Sequence, residues 1–205
     1  MDFAKGEKPV CRVQHPAPEF EAEVFFPDSN SFKNVKLSDY KGKYVVLMWY
    51  PLDFTFVCPT EIIKFSDAKA EFDAMDCVVF ACSVDSVHSH KEFSKKERKK
   101  GGLAPMALPM LSDMNHKIAY NYDCLTDAGM SLRSTFIIDD KGNLRHIGHN
   151  DLPVGREVSE YIRLVQAFKY SDKFGEVCPA SWKPGAKTMK PDHDADVTKT
   201  FFEGQ

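Results

Sequence analysis

Two apolar runs separated by a helical pattern constrain the fold of this chain most strongly. The runs YVVLMWY (residues 44–50) and CVVFACSVD (residues 77–85) are apolar on both faces, which is typical of central strands in a covered sheet. Between them, apolar residues recur at three- and four-residue steps over about residues 59–75, which predicts a helix. This order of elements is typical of an α/β protein.

The remaining elements follow the same alternation and end in a hairpin. The patterns predict a strand at 22–26, a polar helix at 87–100, a strand end at 110–113, a short helix at 116–122, a hairpin at 133–148, a helix at 154–170 and a short helix at 196–202. We therefore predict a mixed central β-sheet with helices on both faces. Residues 1–170 would form one domain, which begins with an extended arm through Pro18, and residues 171–205 would form an extended C-terminal tail of the same structural unit.

Charge and hydropathy exclude several function classes. The formal net charge of −3 argues against a nucleic-acid partner, and the basic run at residues 95–100 is predicted to be a solvated helix face. An apolar run of about twenty residues is absent, so no membrane span is predicted. The first ten residues lack the apolar core of a signal peptide, so a cytoplasmic protein is expected.

The six cysteines are scattered rather than clustered. They have neither C-x-x-C spacing nor the spacing of zinc ligands, so we expect neither a zinc site nor a disulfide framework. Cys77 and Cys82 are predicted to be packed in a strand, while Cys11 and Cys124 are expected to be exposed.

Cys58 lies in the stretch FTFVCPTEI, directly before the helix predicted after Pro59. A proline disfavours helical backbone in the residue before it and suits a helix start, so Cys58 should be the N-cap or lie in the first turn. The helix dipole there favours a negative charge. Glu61 has the spacing of a capping box, and the rings of Phe54 and Phe56 are expected to exclude water.

A helix start therefore offers a way to activate a thiol. An ordinary cysteine is only about 3% ionised at pH 7, whereas a pKa near 6 would make it roughly 90% thiolate. On these local features alone, a structural and a reactive Cys58 are about equally supported. Cys178, in the tail stretch FGEVCPASWKPG, reads by itself as an incidental tail thiol, although a tail position would leave it available for exchange.

Together these stretches resemble the typical 2-Cys peroxiredoxins. The resemblance rests on YPLDFTFVCPTEI (50–62), SVDS with His90, KKGGL, RSTFIIDDKG (133–142), NDLPVGR (150–156) and GEVCPASWKPG (175–185), in family order over nearly the whole chain. It implies a thioredoxin-like fold and peroxide reduction by thiol chemistry without metal, haem or flavin.

The resemblance also implies roles for individual residues. Cys58 would be the peroxidatic cysteine, which attacks the peroxide. Thr55 would position the peroxide, Arg133 would stabilise the thiolate and the developing charge, and Pro51 would shield the sulfur from water. Glu61 would orient the arginine.

In the implied cycle, Cys178 of a partner subunit is the resolving cysteine. It would condense with the Cys58 sulfenic acid to an intersubunit disulfide, which thioredoxin or a similar dithiol protein would reduce. Since bridged cysteines have Cα atoms within about 7 Å, we expect the first helical turn and the tail to unfold locally in each cycle. The family further implies homodimers, often five in a ring, and a secondary holdase chaperone activity. A disulfide oxidoreductase on the same fold is disfavoured because C-x-x-C is absent.

The chain departs from the family pattern at several positions. Ala104 replaces the last glycine of Gly-Gly-Leu-Gly, and Phe201 replaces a tyrosine in the tail, which predicts intermediate sensitivity to overoxidation. Lys96 and Glu97 replace a Thr-Pro pair, so the helix there is expected to run longer, and Phe93 stands where a tryptophan is usual.

Overall fold

The computed structural model describes residues 10–204 in two compact units. The first unit ends at Arg156 and the second begins at Glu157. The sequence predicts a boundary after residue 170 instead, and that boundary stays a prediction.

The first unit is built on one mixed seven-stranded sheet. Its strands are β1 (Glu21–Phe26), β2 (Ser31–Lys36), β3 (Tyr44–Trp49), β4 (Cys77–Ser83), β5 (Met110–Ser112), β6 (Arg133–Ile138) and β7 (Leu144–Asn150), in the spatial order β2-β1-β5-β4-β3-β6-β7. Strands β3, β4 and β5 pair in parallel, and the pairs toward both edges are antiparallel. All of β3 is buried, and each large apolar side chain buried in this way contributes about 1.5–3 kcal/mol. The predicted mixed sheet is confirmed.

Helices cover both faces of this sheet. They are α1 (Cys58–Asp67), α2 (Lys69–Asp73), α3 (Val87–Lys95) and α4 (Lys117–Asn121). Neighbouring residues of a strand point to opposite faces. In β3, Trp49 shares an apolar cluster with Ile118 of α4, while Met48 contacts Arg156, whose guanidinium lies over the Phe65 ring of α1. The next element after β3 is α1, and the loop of residues 50–57 joins them.

Three local expectations differ from the structure. The helix predicted at 59–75 is divided at Ala68, and the strand predicted at 22–26 is followed by an unpredicted partner, β2. The helix expected to run beyond Lys96 ends at Lys95. Lys96 has extended backbone (ψ 136°), and its carbonyl accepts the N–H of Ala104 instead of continuing the helix.

The second unit contains α5 (Val158–Phe174) and α6 (Asp196–Glu203). The predicted helix is displaced toward the C-terminus, since Glu157 caps its start and the left-handed Gly175 (φ 67°) ends it. Between the two helices, Val177 and Met189 form a backbone bridge.

The described part of the predicted N-terminal arm pairs with the β6–β7 hairpin. The backbone N–H of Gln14 donates to the carbonyl of Leu144. The backbone N–H of Leu144 donates to the carbonyl of His15. The rest of the arm, residues 1–9, lies outside the described residues. The expectation that the first ten residues form no signal peptide therefore concerns mostly residues that are not described. Among the helices that are described, none is long and apolar enough to cross a membrane.

Candidate active site

Cys58 is the first residue of α1, as predicted from the proline that follows it. Val57 is the N-cap, and Pro59 occupies the second helical position, where its missing N–H costs no hydrogen bond. The Cys58 side chain is only 1% exposed. The first N–H groups of an α-helix have no intrahelical acceptor, so the sulfur lies at a site that favours negative charge.

Arg133 approaches this sulfur from the first position of β6. Its Nη1 donates to Cys58 Sγ at 3.4 Å, and its Nε donates to the carbonyl of Leu152 at 2.6 Å. The side chain is 5% exposed, so it is not the surface charge that its position at a strand start suggests. Burial lowers the pKa of Arg133, but its hydrogen bond and charge attraction to Cys58 and to Glu61 outweigh burial and leave that pKa raised. The guanidinium is therefore a permanent cation beside the sulfur.

Glu61 lies in the first turn of α1 and binds two arginines. Its Oε2 accepts from Arg133 Nη1 at 2.7 Å, and its Oε1 accepts from Arg156 Nε at 2.7 Å and from the Arg156 backbone N–H at 2.9 Å. The capping-box expectation is wrong, because Val57 rather than Cys58 is the N-cap and the carboxylate turns toward the arginines. All three partners donate, so Glu61 acts as a carboxylate.

Arg156 is a member of this cluster that sequence reasoning did not single out. Its Nη1 donates to the carbonyl of Ser134 at 2.7 Å and to Thr135 Oγ1 at 3.1 Å. Its side chain is 1% exposed. The signal was available in NDLPVGR, which ends at this arginine, but the motif gives no indication of the partner.

The buried side chains of this cluster carry more positive than negative charge. Two guanidiniums, Arg133 and Arg156, face one carboxylate, Glu61, with all three side chains at most 5% exposed. An isolated buried charge is costly, so the cluster favours a second anion. The Cys58 sulfur lies 3.4 Å from Arg133, where a negative charge would be stabilised.

Thr55 and Pro51 lie in the loop of residues 50–57 that joins β3 to α1. The Thr55 hydroxyl donates to the carbonyl of Leu52 at 2.9 Å, which leaves its oxygen lone pairs free to accept a hydrogen bond. Pro51 is buried. The expectation that Phe56 excludes water is wrong, since its ring is 92% exposed, and Phe54 is only about half buried at 48% exposed.

A buried polar network anchors the same loop. Asp53 accepts from the Tyr50 hydroxyl at 2.8 Å and from the Ser89 hydroxyl at 2.7 Å, and its Oδ2 lies 2.9 Å from His90 Nδ1. The backbone N–H of Asp53 donates to the Asp85 carboxylate at 2.9 Å. Burial, followed by the charge of Asp53, raises the pKa of Tyr50 well above its ordinary value, so its hydroxyl remains a donor.

Cys178 belongs to the second unit and lies against α5. Its Sγ donates to the carbonyl of Ala167 at 3.7 Å. Partial burial raises the pKa of Cys178, the charge of Arg163 opposes that rise and the charge of Glu176 adds to it. Arg163 is itself held by Glu160 through two hydrogen bonds of 2.6 and 2.7 Å.

The other cysteines differ in exposure. Cys77 and Cys82 are buried as predicted, but Cys124 is also buried, so its expected exposure is wrong. Burial raises the pKa of Cys82 and of Cys124 well above the ordinary value, which keeps both as neutral thiols. Cys11 is partly exposed. Within residues 10–204, no three His, Cys, Asp or Glu side chains are grouped to hold a metal ion.

Comparisons with known proteins identify two family models and several relatives that match this chain. The model of the AhpC/TSA family matches residues 13–147, and that of the C-terminal domain of 1-Cys peroxiredoxin matches residues 167–204. A peroxiredoxin of Cynops pyrrhogaster is 53% identical over 196 residues, which cover 95% of this chain and 96% of that protein. Peroxiredoxin 2 of Drosophila melanogaster is 54% identical over 193 residues, covering 94% and 97%.

Solved structures extend the likeness to the fold. The reduced 2-Cys peroxiredoxin of Plasmodium vivax superposes with a TM-score of 0.90 at 40% identity and covers 95% of this chain and 100% of that one. AhpC of Enterococcus faecalis gives a TM-score of 0.74 at 30% identity, covering 82% and 98%. The thioredoxin-like fold implied by the sequence resemblance is confirmed by these neighbours.

Proposed function

The chain belongs to the AhpC/TSA family of peroxiredoxins, and on this premise we propose how its residues carry out the reaction. The protein is a thiol-dependent peroxidase, an oxidoreductase that acts on peroxide. We assign the attacking thiolate to Cys58. The observation that carries this assignment is the buried cluster in which Arg133 donates to the Cys58 sulfur at 3.4 Å.

In the first step, the Cys58 thiolate attacks the terminal oxygen of the peroxide. A sulfur–oxygen bond forms, the O–O bond breaks, and Cys58 becomes a sulfenic acid while the leaving oxygen takes a proton from water. Arg133 would stabilise the charge that develops on the leaving oxygen. Because the Thr55 hydroxyl already donates to Leu52, its oxygen would accept the O–H of the peroxide and so orient it.

The supporting residues would act by holding this geometry. Glu61 and Arg156 fix the guanidinium of Arg133, since the carboxylate binds both arginines. Pro51, buried in the same loop, would restrict access of water to the sulfur.

In the second step, Cys178 of the partner subunit would attack the sulfenic acid, releasing water and leaving an intersubunit disulfide. A sulfur that is 1% exposed at a helix start cannot meet the 7 Å limit on bridged Cα atoms unless its turn opens. We therefore propose that the first turn of α1 unfolds locally in each cycle. Thioredoxin or a similar dithiol protein would then reduce the bond by exchange.

Assembly and location complete the proposal. One relative, Prx1a of Plasmodium yoelii, is described as forming an artifactual octamer when modified at its N-terminus, so relatives of this chain do self-associate. We propose homodimers, because the proposed disulfide needs two subunits. We further propose that five dimers join in a ring as a decamer, as the family resemblance implies. A cytoplasmic location would supply the dithiol reductant that the cycle requires.

Two cysteine variants test the assignments. Cys58→Ser should reduce peroxide consumption with dithiothreitol to background, because serine is not ionised at neutral pH, whereas Cys178→Ser should still be oxidised once per subunit. Non-reducing electrophoresis after one equivalent of peroxide should give a linked dimer in the unaltered protein and in the matched control Cys11→Ser, but not in Cys178→Ser. Full turnover by Cys58→Ser would overturn the catalytic assignment, and a linked dimer in Cys178→Ser would overturn the resolving one. Any holdase activity should survive in Cys58→Ser.

A further inference from the structure

The ring of Phe54, four residues before Cys58, is held between a ring and a cation of another element. Its centroid lies 4.7 Å from that of Phe93 in α3, and Lys96 Nζ lies 5.5 Å from the centroid of Phe54. A cation within about 6 Å of a ring centroid is attracted by the ring quadrupole. We call this arrangement of Phe93, Phe54 and Lys96 the Phe54 stack.

The backbone of Phe54 needs such support. Its φ of 57° lies in the left-handed region, which is unfavourable for a bulky side chain. Thr55 follows immediately, so the conformation of Phe54 sets the direction in which the Thr55 hydroxyl enters the site. Relaxation of this backbone would displace Thr55 and the start of α1 together.

Lys96 is itself fixed at a tight corner after α3. Its carbonyl accepts the N–H of Ala104 at 2.9 Å, and Gly102 packs so closely that a Cβ there would lie 2.2 Å from the Lys96 carbonyl oxygen. The corner is also tied to the last residue of α1, because Arg98 donates to both carboxylate oxygens of Asp67 at 2.7 and 3.2 Å. The corner therefore contacts the end of α1 and, through Lys96, the loop that precedes it.

We propose that Lys96 is a positioning residue for peroxide reduction, acting through the Phe54 stack. Its cation stabilises the closed form of the 50–57 loop and the first turn of α1, so it slows the opening that exposes Cys58. This inference rests on the proposed function, since it concerns the step between sulfenic acid and disulfide. Its consequence is a longer-lived sulfenic acid and a greater yield of Cys58 sulfinic acid when peroxide is abundant.

The test compares Lys96→Gln, which removes the cation but keeps most of the stem, with Lys96→Arg, which retains a cation. The matched control is Lys95→Gln, because Lys95 forms an exposed ion pair with Glu92 at 3.0 Å. After a fixed excess of peroxide, mass spectrometry gives the ratio of Cys58 sulfinic acid to disulfide. An exposed cation–π contact corresponds to roughly a two- to fivefold change in an equilibrium, so Lys96→Gln should lower this ratio about two- to fivefold. Lys96→Arg and Lys95→Gln should keep the ratio of the unaltered protein.

Four outcomes would overturn the inference. An unchanged ratio in Lys96→Gln, or an equal decrease in Lys95→Gln, would show that the Lys96 cation does not hold the loop. A lower ratio in Lys96→Arg, like that of Lys96→Gln, would show that the positive charge over the Phe54 ring does not determine the yield of sulfinic acid. If Cys58 of the unaltered protein forms neither product, the proposed function fails and this inference fails with it.

Discussion

At the scale of single residues, the proposed chemistry depends on the balance of buried charges around Cys58. Glu61 joins Arg133 to Arg156, and all three side chains are at most 5% exposed. Taking one partner from a buried ion pair is far more costly than the pair is stabilising, because the remaining charge is left uncompensated. Glu61 is therefore central to stability as well as to the position of Arg133.

Removal of this carboxylate gives a prediction about stability. Glu61→Gln should lower the free energy of unfolding by about 3–5 kcal/mol, because two buried guanidiniums lose their common partner. The matched control is Glu160→Gln, which breaks a Glu–Arg pair of similar distance at a side chain that is 48% exposed and should cost less than about 1 kcal/mol. Denaturant unfolding measures both. Equal losses in the two variants would contradict the importance given to the buried cluster.

At the scale of elements, the sequence predicts what depends on neighbouring residues. The buried strands β3 and β4, the β6–β7 hairpin and the start of α1 at Cys58 follow from periodicity and from Pro59. The partners of Glu61 do not, because Arg133 and Arg156 lie 72 and 95 residues further along the chain. The capping-box spacing, which considers only neighbouring residues, therefore predicted the wrong partner for Glu61.

The end of α3 and the burial of Cys124 also differ from the prediction, because contacts between separate parts of the chain decide them. The polar pattern after α3 continues past Lys95, but the Lys96 carbonyl accepts the N–H of Ala104, eight residues further on, instead of continuing the helix. Cys124 follows a short helix in a polar context, yet it packs in the apolar cluster that contains Trp49 and Tyr122. Tertiary contacts decided both outcomes, and local sequence patterns do not record them.

Helix α5 gives a prediction about the second cysteine. Burial raises the pKa of Cys178, Arg163 lowers it and Glu176 raises it. Glu176→Gln should therefore lower this pKa and speed alkylation of Cys178 by iodoacetamide at pH 8, because more of the thiol is ionised. Arg163→Gln should slow the same reaction. Alkylation followed by site-resolved mass spectrometry measures both, and rates that move in the same direction would contradict the opposing charges.

At the scale of the whole molecule, the two cysteines of the proposed cycle belong to different units of the chain. Cys58 starts a helix of the sheet-based unit, and Cys178 follows α5 in the second unit. The proposed dimer would let one subunit's second unit serve the other subunit's Cys58. Opening of the first turn of α1 would then be the event that links chemistry to assembly.

The ionisation of Cys58 at neutral pH is the central claim, and its rate of alkylation tests it most directly. If Arg133, at 3.4 Å, holds the sulfur as a thiolate as we propose, iodoacetamide should modify Cys58 at nearly the same rate at pH 7 and pH 8. An ordinary cysteine, by contrast, should react about eightfold faster at pH 8 than at pH 7. A flat rate supports the account, whereas an increase like that of an ordinary cysteine would contradict it.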